Sequence, residues 1–136
     1  MIAIFLFYNQ SNGVQARLAF SKTFKHCNII TYDGDYWVNY ELDSYGVHTR
    51  VLEVKEGVAL IRGLKIIKEL VAMVVVWIDK RARFGWKPWW VRSCNEYNRY
   101  VGAVDIGFTF NPRHLFSKLL KYDKKRNFEI LQLWRR

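Results

Sequence analysis

Apolar and polar residues fall along the chain in blocks that read as strands and short helices. Ile2–Tyr8 is apolar almost throughout, the pattern of a strand buried on both faces. Ser11 to Gly13 reads as a turn, and residues 14–24 carry Val14, Leu18 and Ala19 at a spacing that suits a short helix. Residues 26–32 and 36–42 are β-rich runs separated by Asp33-Gly34-Asp35, and Asp-Gly between two such runs predicts a hairpin. Asp43-Ser44-Tyr45-Gly46 supplies the next turn and residues 47–54 a further strand, so the first half reads as an antiparallel meander added to the opening strand.

After Gly57, residues 58–70 place Leu60, Ile61, Leu64 and Ile67 at helical spacing, interrupted by Gly63, and residues 71–78 return to the pattern of a central strand. A loop rich in Arg, Lys and Trp follows at 80–90. Ser93-Cys94-Asn95-Glu96 then has the spacing of a capping box, with Ser93 as N-cap and Glu96 three residues on, which predicts a short helix over 94–101 closed by Gly102. A strand is expected near 106–110. Asn111-Pro112 is a second helix start, with proline at the first helical position, and a helix over 114–121 follows it. For residues 128–134 the period leaves strand and helical tail both open.

Composition narrows the class. The chain has 136 residues, 51% of them hydrophobic and 17% aromatic, enough apolar material for one domain with a single core and far from a disordered or low-complexity composition. No linker or internal repeat divides it, so residues 1–136 are read as one α+β domain. Lys and Arg number 22 against 12 Asp and Glu, and the formal charge of +10 attracts polyanions such as nucleic acids, anionic wall polymers and acidic lipids. The longest apolar run, residues 70–78, is well short of the roughly 20 residues of a membrane-spanning helix. The N-terminus lacks the basic region and small-residue cleavage site of a signal peptide, so no export by that route is expected. Two cysteines, Cys27 and Cys94, are too few for a disulfide scaffold, and no Cys/His spacing matches a structural zinc site; neither a metal nor a cofactor is expected.

The candidate chemistry begins at the hairpin. With Asp33 and Gly34 as the two central turn residues, cross-strand partners have indices summing to 67, which sets His26 opposite Glu41. Opposed residues of an antiparallel pair have Cβ atoms about 4.5–5.5 Å apart on one face, the geometry in which a carboxylate orients an imidazole. Asn28 and Asn39 share that face, while Cys27, Ile29, Val38 and Tyr40 point to the other. The same pair is also what the solvated side of an amphipathic hairpin carries. Cys94 adds a nucleophile, because the first position of a helix favours thiolate through free amide N–H groups and the helix dipole; its plainer alternative is a small buried hydrophobe. Cys27 is the weaker candidate, since next to His26 on a strand it faces the other way. His48 and His114 are read as surface residues without an opposed carboxylate.

This order of residues resembles the circularly permuted papain-like cysteine hydrolases, relatives of NlpC-type peptidases, YiiX-like proteins and lecithin retinol acyltransferase. The likeness is carried by His26 in Lys25-His26-Cys27-Asn28, Glu41 in Asn39-Tyr40-Glu41-Leu42 and Cys94 in Ser93-Cys94-Asn95-Glu96. Small phage members similarly have an apolar strand, a Trp/Pro loop, the Cys helix ending in Gly and a Thr-Pro-type helix start; here these are residues 71–78, Lys87-Pro88-Trp89-Trp90, Gly102 and Asn111-Pro112. Asn111 departs from the usual Thr, and residues 13–25 offer no evident oxyanion-hole side chain. The resemblance implies an antiparallel sheet packed against a few helices and a catalytic triad of Cys94, His26 and Glu41. It implies hydrolysis of an amide bond, such as a peptide crosslink of the bacterial wall, through a thioester. It also implies a protein acting in the cytoplasm of the producing cell or within a phage virion.

Two other classes compete. Arg81, Arg83, Trp86, Lys87, Trp89 and Trp90 interleave cations with aromatics, as in platforms that stack bases and track phosphates, so a nucleic-acid-binding module is one alternative. The same residues also suit a sheet edge covered by basic stems. The other is a virion or assembly protein that keeps a papain-like fold without turnover, its partners being other virion proteins.

Overall fold

The computed structural model describes residues 1–10, 23–43, 46–79 and 94–136. Six strands, β1 (Ile2–Tyr8), β2 (His26–Tyr32), β3 (Trp37–Asp43), β4 (Gly46–Leu52), β5 (Leu70–Ile78) and β6 (Phe128–Arg135), form one sheet in the order β4-β3-β2-β1-β5-β6. All neighbours are antiparallel. Among the described residues three helices accompany them: α1 (Gly57–Lys65), α2 (Cys94–Val101) and α3 (Pro112–Tyr122). The domain is therefore α+β, with the meander β1 to β4 as expected and β5 returning to the free side of β1.

The interior strands are apolar on both faces because both faces are covered. Ala3, Phe5, Phe7, Cys27, Ile29, Ala72, Val74 and Val76 pack with Cys94 of α2 and with Leu115, Phe116 and Leu119 of α3. The alternate residues Ile4, Leu6, Ile30, Met73 and Val75 pack with Trp37 and with Leu60 and Leu64 of α1. The edge strand β4 is largely exposed along its length. Residues 128–134, left open by their period, form an edge strand, pairing Val74 with Leu133 and Val76 with Ile130 across a bulge.

Helix α3 starts as its sequence predicts: the Asn111 side chain accepts from the His114 amide at 2.8 Å and Pro112 follows. Gly102 follows α2 for a reason of packing. A Cβ there would stand 2.6 Å from Phe5 Cζ and 2.8 Å from Ile29 Cδ1, so the helix end approaches the sheet only with glycine at this position. The left-handed residue is the next one, Ala103, at φ 51°.

Two expectations are corrected. The β2–β3 pairs are Ile29↔Tyr40, Ile30↔Asn39, Thr31↔Val38 and Tyr32↔Trp37, so the loop has four residues, Asp33 to Tyr36, where two were expected. Asp33 causes this, because its carboxylate accepts from the amides of Asp35 at 3.0 Å and Tyr36 at 3.1 Å and holds an Asx-type turn. Residues 106–110 are irregular, without a strand. They are turned by Gly107 at φ 69°, and are pinned by Glu96 to Thr109 and by Lys118 to the Phe108 carbonyl. The expected turn at Ser11 to Gly13, most of the helix over 14–24, the turn residues Ser44 and Tyr45, and the basic loop at 80–90 lie outside the described residues.

Candidate active site

His26 opens β2, and Glu41 lies in β3 beyond the last paired residue, Tyr40. The observed register, carried one step further, sets Glu41 opposite Asn28 and diagonal to His26. The shift from the expected register is two residues, and a strand has a side-chain period of two, so Glu41 keeps the face it was assigned. His26 Nε2 stands 3.4 Å from Glu41 Oε1, an ion-pair contact longer than a well-formed hydrogen bond. The imidazole is the more enclosed partner, 14% exposed against 40% for the carboxylate.

The β3–β4 ladder also sets Glu41 opposite His48, which corrects the expectation that His48 has no opposed carboxylate. His48 is exposed, on the edge strand. His114 belongs to a helix start: its Nδ1 accepts from the Phe110 amide at 3.2 Å and its ring stacks on Phe110 at 5.3 Å. Burial and the nearby Lys118 ammonium hold its pKa below the ordinary value.

Cys94 is the first residue of α2 and is 5% exposed. The helix packs across β2 and β3, with its first turn over the face that Cys27 presents. The Cys27 thiol donates to the Cys94 sulfur at 3.6 Å. That contact is the largest of the influences holding Cys94 well below the ordinary thiol range; burial opposes it, and the His26 imidazole adds both a hydrogen bond and a charge. Cys27 is pushed well above the ordinary range by its complete burial and by the Cys94 sulfur, with Asn98 opposing. For His26, burial disfavours the charged form, yet hydrogen bonds and charges from Cys94 and Glu41 prevail and raise its pKa to about 9. The lowered Cys94 and the raised His26 both favour the charged forms, a thiolate beside an imidazolium.

Buried polar atoms gather at this end of the sheet. Asn98 lies one turn after Cys94 with no exposed surface, and neither its side-chain oxygen nor its nitrogen meets a hydrogen-bond partner among the described residues. The side-chain oxygens of Asn9, Asn28 and Asn39 are also unpartnered, and so is His26 Nε2 by hydrogen-bond geometry. Burial raises the Tyr8 hydroxyl to about 12, against the lowering effect of Asn28.

Glu96 is, by contrast, fully engaged. Its carboxylate takes the Arg99 guanidinium at 2.9 Å and both the amide and the hydroxyl of Thr109 at 2.6 Å. Ser93, its expected capping partner, lies outside the described residues. Among the described residues no group of three or more His, Cys, Asp or Glu side chains is arranged to hold a metal ion, and no helix is long and apolar enough to cross a membrane.

Cys27, the weaker candidate by sequence because it faces away from His26, is the residue whose thiol meets Cys94. Strand alternation correctly turned it away from the His26 face, but the helix bearing Cys94 packs on the side to which Cys27 was turned. Two cysteines in the whole chain, one on a central strand and one at a helix start, were the available signal. No family model matches the chain, and neither a curated protein nor a solved structure matches it.

Proposed function

We propose that the chain is a cysteine hydrolase of amide bonds, with Cys94 as nucleophile, His26 as its acid–base partner and Glu41 as the carboxylate that steadies the imidazole. The observation that carries this reading is a thiolate-favouring cysteine at a helix start beside an imidazolium that itself touches a carboxylate. The chain order of His, Glu and Cys, on two antiparallel strands and a late helix, supports a permuted papain-like architecture of the NlpC type.

In this mechanism the Cys94 thiolate adds to the substrate carbonyl carbon. The oxyanion is met by the Cys94 backbone N–H at the start of α2. His26 gives its proton to the leaving amine, which departs and leaves a thioester on Cys94. Neutral His26 then takes a proton from water, the hydroxide attacks the thioester, and the acid product leaves with the thiolate restored. A peptide crosslink of the bacterial wall fits best as substrate, since a formal charge of +10 favours adhesion to anionic wall polymers. On this reading the protein serves a bacterium or its phage, from the cytoplasm or as part of a virion.

The test is the pH dependence of Cys94 alkylation by iodoacetamide, read by mass spectrometry with Cys27 as internal control. The expected outcome is reaction well below the ordinary thiol range, with the rate at pH 6 reduced by on the order of tenfold in His26→Ala and by less in Glu41→Gln. Release of amines from purified peptidoglycan, lost in Cys94→Ala, would then identify the bond. If Cys94 behaves as an ordinary thiol in all three proteins, catalysis is excluded and the assembly-protein and nucleic-acid readings take its place.

A further inference from the structure

We propose that Cys27 and Cys94 form a peroxide-oxidised thiol pair, in which Cys94 is the thiol that reacts with a hydroperoxide and Cys27 the thiol that resolves it to an intramolecular disulfide. The two sulfurs are 3.6 Å apart, both side chains are buried, and both are free thiols. A disulfide needs about 2.05 Å, so the sulfurs have to approach by about 1.5 Å, within reach of side-chain rotation. The cysteines are 67 residues apart in sequence and are brought together by α2 lying across β2.

Chemically the pair is asymmetric in the way resolution requires. The Cys94 thiolate, with an S–H donor on one side and the imidazolium on the other, is the nucleophile, whereas Cys27 stays protonated. In the first step Cys94 sulfur attacks the distal oxygen of the hydroperoxide. The O–O bond breaks, the alkoxide or hydroxide takes the His26 proton, and Cys94 becomes a sulfenic acid, oxidised by two electrons as the peroxide is reduced by two. In the second step Cys27 sulfur attacks Cys94 sulfur. The S–O bond breaks, and its hydroxide leaves as water with the Cys27 proton. The products are a disulfide, an alcohol or water, and water, with neutral His26 left to take up a proton from solvent.

This step does not rest on the hydrolase reading, because it needs only the two thiols and a small oxidant. Disulfide formation uses up the Cys94 thiolate and so removes any nucleophilic activity until a dithiol reductant restores it.

The experiment treats the full-length protein, reduced beforehand, with one equivalent of hydrogen peroxide, followed by alkylation with N-ethylmaleimide and non-reducing peptide mapping. Expected are a mass lower by two hydrogens, loss of both alkylatable thiols, a linked peptide pair containing Cys27 and Cys94 within one chain, and full recovery on dithiothreitol. In Cys27→Ser the sulfenic acid should persist and be captured by dimedone at Cys94. The proposal is overturned if Cys94 proceeds to sulfinic or sulfonic acid while Cys27 remains alkylatable, if both thiols survive the peroxide, or if links form only between chains. All three readouts come from the unsubstituted protein, so the proposal is tested even if Cys27→Ser fails to fold.

Discussion

Helices α1 and α2 are of similar length and lie on opposite faces of one sheet, yet they bury opposite kinds of residue. Helix α1 turns Leu60 and Leu64 inward, one turn apart, and exposes much of the rest. Helix α2 buries Cys94, Glu96 and Asn98. The first follows from the hydrophobic effect alone. The second contains a charge that needs partners, an amide that meets none among the described residues and a thiol with an altered pKa, an arrangement that costs stability. On the function proposed above, the contrast separates a helix that holds the fold from one that carries the proposed nucleophile.

Truncation on each helix should separate those roles most strongly. Leu64→Ala is expected to cost about 3 kcal/mol in urea unfolding, the usual range for a buried leucine, while leaving the pH profile of Cys94 alkylation unchanged. Glu96→Ala is expected to cost a similar amount for a different reason, since it removes the carboxylate that the partly enclosed Arg99 guanidinium and the Thr109 amide and hydroxyl donate to. It should also raise amide hydrogen exchange at Thr109 and its neighbours, which Leu64→Ala should not do. Equal exchange in the two variants would break the comparison.

pH should act on one helix and spare the other. The folded pKa of His26, about 9, lies above its ordinary 6.5, so its contribution to stability is present below 6.5 and is lost as pH rises through about 9. Cys94 has a depressed folded pKa, so its contribution is present above the ordinary thiol value and is lost as pH falls through the folded one. The two are one interaction, fullest where both groups are charged. The destabilisation caused by His26→Ala, followed by urea titration, should therefore be greatest near neutral pH and shrink toward pH 10, while that of Leu64→Ala stays constant.

Asn98→Leu is expected to have a smaller effect, of opposite sign. A buried amide with no hydrogen-bond partner among the described residues is replaced by an apolar group of similar size, and unfolding should become harder by about 1 kcal/mol. The comparison is sharpened if stability is gained as the Cys94 alkylation profile moves, because Asn98 lowers the pKa of the Cys27 thiol that donates to Cys94. A loss of stability would mean that the amide serves the fold.

Local patterns were legible in the sequence, and long-range packing was not. Apolar runs located the strands and Asn111-Pro112 located α3, because each signal is complete within a few residues; Gly102 marked the end of α2, although what requires glycine there is its approach to Phe5 and Ile29. The His26–Glu41 contact was legible through alternation even though its register was misjudged. The proximity of Cys27 to Cys94 was not legible, since it depends on which face of the sheet α2 covers. Glu96 was read as a local cap, whereas its carboxylate reaches Thr109 across 13 residues. The run at 106–110 has strand composition, but Gly107 at positive φ and the ties of Thr109 to Glu96 and of Phe108 to Lys118 hold it in an irregular path.

The hairpin turn offers the smallest expected effect and the finest check. Asp33→Ala removes the acceptor for the Asp35 and Tyr36 amides and should cost about 1 kcal/mol, the scale of a lost side-chain-to-backbone bond in a turn. The four-residue loop then competes with a two-residue turn centred on positions 33 and 34, in which Gly34 already has a positive φ. If the loop shortens, the strands slip by two residues, and every side chain keeps its face. His26 would move from a diagonal position to one directly across from Glu41, and the pH profile of Cys94 alkylation should stay within a few tenths of a unit of the parent. A profile that collapsed to that of an ordinary thiol would show that the diagonal geometry itself sustains the ion pair, and that a shared face is not enough.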